Sequence, residues 1–111
     1  MEMSINTYDK FTYDLARYPK EQANSQIVEA MYCALGLVGE AGEASEKIKK
    51  WHRDSVIDHK AVALELGDVL YYLTRLANTV GYTLEEVMKM NVDKLTSRRD
   101  RNVLHGTGDN R

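Results

Sequence analysis

A single proline, Pro19, interrupts a chain of 111 residues, and everything beyond it repeats with a helical period. Proline lacks an amide hydrogen and clashes with the preceding turn, so a long stretch without it permits long helices. Apolar residues recur three and four apart, with no strict alternation, which predicts helices and no strand. A first helix is expected over about 7–18, with Asn6 as its cap, Asp9 in its first turn, and Phe11, Leu15 and Tyr18 as its apolar stripe. Residues 20–24 are polar and read as a connection.

A long second helix is expected over 26–52, capped by Ser25 and broken at 53–55. Gly36, Gly39 and Gly42 lie inside it, each costing up to about 1 kcal/mol relative to alanine. Either close approach by a backbone or ligand, or tight helix packing, would explain them. Asp58 can open a third helix over 58–79, which Gly81 stops. Thr83 and Glu86 form a capping box for a fourth, over 83–99. The remainder, 100–111, carries HGTGDNR and reads as a flexible tail. The expectation is one all-α domain, a four-helix bundle-like protomer.

A formal net charge of -2 argues against nucleic acid as a partner. No apolar run approaches the roughly 18 residues of a membrane span, and no leader opens the chain. One cysteine, Cys33, excludes an intrachain disulfide and reads as a small buried residue. A reducing cytoplasm is the expected location.

The unusual feature is acid on apolar faces. In ALELGDVLYYL, Glu65 and Asp68 share a face with Ala61, Val69, Tyr72 and Leu76. In GLVGEAGEASEK, Glu40 and Glu43 share theirs with Cys33, Leu37, Ala44, Lys47 and Trp51. Glu46 lies off that stripe and can pair with Lys50 as solvated surface. Buried carboxylates without partners are costly, and four facing one another repel. A cation removes both objections, and hard oxygen ligands suit Mg²⁺ or Mn²⁺. His52, His59 and His105 show no zinc spacing, neither acid pair has the Glu-x-x-His form of a di-iron site, and no phosphate loop occurs.

A hard cation held by acids suggests phosphate chemistry, which needs cationic partners. Lys47 follows Glu43 by one turn, and Asn91, Lys94 and Arg98 share a face of the fourth helix. Solvated helix-end cations beside the dipole would look the same. Trp51 could be an aromatic platform for a base or an interface anchor. Tyr72 could bond a metal ligand or pack in the core, and His105 could close over a nucleotide. Leu64, Leu66, Leu70, Tyr71 and Leu73 make the third helix apolar nearly all round. A chain this short cannot easily surround it, which argues for an oligomer.

Together these segments resemble the MazG-like all-α nucleoside triphosphate pyrophosphohydrolases. The resemblance rests on Glu40-x-x-Glu43, then Glu65-x-x-Asp68 after 21 residues, then Asn91-x-x-Lys94-Leu95-x-x-Arg98, covering 27–99. The HGTGDNR tail is similar to small stand-alone and phage-encoded members. Many members double the first glutamate, where Gly39 stands here. The resemblance implies hydrolysis of NTP or dNTP between the α and β phosphates, to monophosphate and pyrophosphate. It implies Glu40, Glu43, Glu65 and Asp68 as catalytic metal ligands for Mg²⁺, or Mn²⁺ in its place. One glutamate could instead accept the water's proton. Lys47, Lys94 and Arg98 would face the triphosphate charge, Asn91 would donate a hydrogen bond, and Trp51 would contact the base. It further implies a homodimer or homotetramer whose sites can draw Lys94 or Arg98 from a second subunit. Neighbouring readings are a dUTPase, a phosphoribosyl-ATP pyrophosphohydrolase, or a non-catalytic helical module with a structural metal.

Overall fold

A computed structural model describes residues 2–16 and 25–111. It is all-α, with helices α1 (Ile5–Leu15), α2 (Ser25–Asp54), α3 (His59–Thr79) and α4 (Leu84–Asp100), and no strand among the described residues. No helix among them is long and apolar enough to cross a membrane.

Local chemistry explains most helix ends. Asp58 accepts the Ala61 amide at 3.1 Å and opens α3. At its other end Tyr82 N–H reaches Ala77 O at 2.9 Å and Gly81 N–H reaches Asn78 O at 3.0 Å, across Gly81 at φ +97°. That is a Schellman closure, and its left-handed residue favours glycine. Thr83 and Glu86 exchange side chain-to-amide bonds of 3.1 and 2.9 Å, the reciprocal box that starts α4. The break after α2 falls at Ser55, φ 58°, so α2 runs to Asp54 rather than His52.

The start of α1 differs from expectation. Ser4, not Asn6, caps it, accepting the Thr7 amide at 3.0 Å. Asn6 is thereby inside the helix and donates to Glu85 at 3.0 Å. The helix ends at Leu15, short of the expected Tyr18. Residues 17–24, with Tyr18, Pro19 and the polar connection, lie outside the described residues, as does the Ser25 side chain. Asp9, expected as a first-turn acid, instead receives Leu84 N–H at 2.8 Å and Asn78 Nδ2 at 3.4 Å. One carboxylate so binds α1 to the end of α3 and the start of α4.

α2 and α3 form a long antiparallel hairpin, with Gln26 at one end donating to Thr79 O at 3.2 Å. Among the described residues α2 packs on α3 alone, while α1 and α4 pack on each other and on α3. The centre of this arrangement is polar. Arg75 is 2% exposed, with Glu29 at 3.6 Å, Asn78 Oδ1 at 2.8 Å, Thr12 Oγ1 at 3.4 Å and the Tyr13 ring beneath its guanidinium at 5.1 Å. A side chain from α3 therefore holds α1 and α2 together.

Much apolar surface stays open. Ile27, Met31, Leu35 and Val38 run down the side of α2 turned away from the acids, and Leu35 and Val38 are 71% and 70% exposed. Leu64 and Leu66 on α3 are exposed as well. The tail beyond α4 has no regular structure but is not a bare frayed end. The Arg111 guanidinium donates to Val103 O at 3.0 Å, Leu104 O at 2.9 Å and Gly108 O at 2.6 Å. One guanidinium has five N–H donors and so can serve several carbonyls at once.

Candidate active site

The mid-sections of α2 and α3 bring their acids together. Glu40, Glu43 and Glu65 each offer a carboxylate oxygen, and the three oxygens lie within 4.8 Å of one another. Glu40 and Glu65 are half-buried and Glu43 is exposed. Glu40 Oε2 and Glu65 Oε2 are shielded from solvent and have no hydrogen-bond partner among the described residues. Such orphaned oxygens are expensive unless a proton or a cation satisfies them. Burial, then the charge of Glu43, pushes the Glu40 pKa from 4.5 up to about 7, with Glu65 and Asp68 adding to the rise. When protonated, Glu40 can donate to Glu65. The set is all hard oxygen, converging from two helices, and so fits Mg²⁺ or Mn²⁺.

Asp68 is exposed and does not join the three convergent oxygens. It lies beside them, lining with Glu40 a hollow of about 360 Å³ whose other walls include Tyr8 and Phe11 of α1 and Tyr71 and Tyr72 of α3. Burial, then the charge of Asp68, holds the Tyr8 phenol above its usual range. Periodicity read Phe11 as part of a core stripe and passed over Tyr8. The signal that could have marked them is two aromatics three apart on a helix too short to bury both. Lys47, read as a partner for Glu43 or phosphate, reaches across to Glu65 at 3.9 Å.

The three glycines separate. A Cβ on Gly36 would lie 2.5 Å from the Tyr72 ring, so this glycine serves close helix packing; Gly39 and Gly42 face open space. Tyr72 accordingly packs between Gly36 and Tyr71, its ring centroid 5.1 Å from that of Tyr71 in an edge-on contact. Gly36→Ala is expected to displace the Tyr72 ring and cost about 1–3 kcal/mol, read by denaturant unfolding. An unchanged midpoint would show that the ring moves freely.

Other candidates are not brought to the acids. Trp51 lies about 12 Å beyond Glu43 along α2. It sits edge-on to His59 at 6.0 Å and lines a separate hollow with Ile48, His52 and Ser55. Asn91 is exposed on α4, which does not pack on α2. Lys94 and Arg98 meet Asp109 of the tail, at 3.5 and 3.3 Å. His105 is exposed on that tail.

The family model described as MazG nucleotide pyrophosphohydrolase domain matches residues 29–103. The Gene 37 protein of Mycobacterium phage L5 is 41% identical over 114 residues, covering 98% of this chain and 100% of its own length. No solved structure matches.

Proposed function

The chain belongs to the MazG family of nucleotide pyrophosphohydrolases, and from that premise we propose that it hydrolyses NTP or dNTP between the α and β phosphates with Mg²⁺, or Mn²⁺ in its place. The observation that carries this reading is the convergence of Glu40, Glu43 and Glu65 oxygens within 4.8 Å, two of those side chains holding an orphaned shielded oxygen. When bound, the ion supplies Lewis acidity toward the α-phosphate and makes water a better nucleophile.

The chain's residues divide the remaining work. Glu40, Glu43 and Glu65 would hold the ion, and Asp68, which lines the hollow beside Glu40, would support them. One glutamate of the cluster would accept the proton of the attacking water instead of holding the ion. Lys47 stands at 3.9 Å from Glu65 and answers charge on the phosphates. Tyr8 and Phe11 share the hollow with Glu40 and Asp68, so they suit base and sugar better than Trp51 does.

A second copy of the chain belongs to this reading. The open stripe Ile27, Met31, Leu35 and Val38 is a surface that a homodimer or homotetramer would bury. Asn91, Lys94 and Arg98 of that copy are then the cations and donor for the triphosphate, since within one chain α4 does not pack on α2 among the described residues.

The test is product analysis with each common NTP and dNTP, with Mg²⁺ and with EDTA. Monophosphate and pyrophosphate are expected, and only with the metal. Diphosphate and orthophosphate would move the attack to the γ-phosphate, and turnover of dUTP alone would make the chain a dUTPase. No turnover in protein that binds Mg²⁺ would leave a structural metal.

A further inference from the structure

The cation pair on α4 already holds an anion, and that anion belongs to the chain. Arg98 and Lys94 stand one turn apart, and both reach the same carboxylate oxygen, Asp109 Oδ1, at 3.3 and 3.5 Å. The two sides of the contact differ in burial. The Arg98 side chain is 7% exposed, whereas that of Asp109 is 85% exposed. Arg98 Nη2 also donates to Asp109 O at 3.1 Å and to Gly108 O at 3.4 Å, but the shielded Nε of Arg98 has no acceptor among the described residues. A guanidinium so deeply placed, with a donor left over, has capacity for a larger anion than one carboxylate.

The loop that presents Asp109 is built. Gly108 precedes it at φ +84°, a conformation that favours glycine, and Arg111 ties Val103, Leu104 and Gly108 together through their carbonyls. Arg101 in turn donates to Arg111 O at 2.6 Å. These bonds hold Asp109 over the cations, while its exposure leaves it displaceable.

We infer that Asp109 is an internal competitor for the Lys94–Arg98 anion site and raises the threshold for binding there, so that polyphosphates occupy it at concentrations where monophosphates do not. Any anion entering must displace the same carboxylate, so the cost of entry is common to all ligands. The return grows with the ligand's charge, because attraction to the two cations scales with it. A triphosphate or pyrophosphate therefore enters where a monophosphate does not, and a monophosphate product is not retained. The hydrogen bond from Arg98, followed by the charge of Lys94, holds the Asp109 carboxyl below its usual range, so it remains an anion at neutral pH. This inference rests on the nucleotide reading for its biological meaning, but its test requires neither metal nor turnover.

Binding of pyrophosphate and of AMP is measured calorimetrically in EDTA, which keeps the acid cluster from taking part through a metal. In Asp109→Asn, pyrophosphate is expected to bind about two- to fivefold tighter, the scale of a partly exposed ion pair removed. AMP should gain by about the same factor, because the displaced carboxylate is common to both ligands, and a gain confined to one of them would overturn the inference. Unchanged or weaker pyrophosphate binding would overturn the inference and make Asp109 a support for Arg98. Because the substitution could disturb the tail, hydrogen exchange of amides 103–111 in the unsubstituted protein is the second measurement. Saturating pyrophosphate should speed exchange there, and unchanged or slower exchange would overturn displacement. Failure of the nucleotide reading would appear separately, as absence of hydrolysis with Mg²⁺.

Discussion

Glu40→Gln is expected to lower kcat by more than about a hundredfold, since losing even an indirect support of a metal site costs 10–100-fold. Asp68→Asn should act in the same direction with the fold retained. Glu40 is the most constrained of the acids, with one oxygen shielded and unpartnered and Glu43, Glu65 and Asp68 around it. Wild-type turnover by Glu40→Gln with Mg²⁺ present would refute the ligand assignment, and wild-type turnover by Asp68→Asn would remove Asp68 from the site.

The same substitution has an opposite effect on the metal-free protein. The folded-state pKa of Glu40, about 7, lies above its ordinary 4.5. The folded chain therefore binds this proton more tightly than the unfolded chain does. Its contribution is fully present below about pH 4.5 and is lost as the pH rises through 7. Thermal unfolding in EDTA should give a lower midpoint at pH 8 than at pH 5.5, and Glu40→Gln should flatten that slope. Mg²⁺ should release a proton on binding near pH 7, visible as a buffer-dependent heat of binding. A heat identical in buffers of different ionisation enthalpy would show that no such proton is held.

Arg75→Met is expected to destabilise the chain by about 3–5 kcal/mol, as removal of one partner from a buried ion pair typically does. The loss leaves Glu29 without its guanidinium and removes donors from Asn78 Oδ1 and Thr12 Oγ1. Since Arg75 also lies over Tyr13 of α1, the variant should loosen α1 and with it the Tyr8–Phe11 wall of the hollow. Substrate KM should rise in conditions where the variant remains folded. Adding Glu29→Gln should recover part of the lost stability, because no uncompensated charge then remains buried. The exposed pair Lys10–Asp14, at 2.8 Å, is the control: Lys10→Ala should leave the unfolding midpoint nearly unchanged. Equal losses from Arg75→Met and Lys10→Ala would show that the buried network carries no special weight.

The sequence legibly specifies whatever depends on neighbours within a turn or two. The Asp58 cap, the Gly81 stop and the Thr83–Glu86 box are each settled by residues no more than a few positions apart. So is the sharing of a helix face by Glu40 with Glu43 and by Glu65 with Asp68, because the helical period alone fixes it. Local reading failed even at short range where two caps compete: Ser4 and Asn6 are both good cap residues, and the bond from Asn6 to Glu85 spans 79 positions.

Only tertiary structure decided which faces meet. It brought Glu65 across to Glu40 and Glu43, set Tyr8 and Phe11 beside them, and left Trp51 in a hollow of its own. It also made Arg75 the buried tie between three helices, a role invisible in a pattern where arginine normally marks surface. Lys94 and Arg98 were legible as a cationic pair, but their partner Asp109 was not, because the tail returns to them through contacts no periodicity encodes. Periodicity fixes the angle of a side chain around its own helix axis. The distance between two axes, and what closes over them, depends on packing summed over the whole chain.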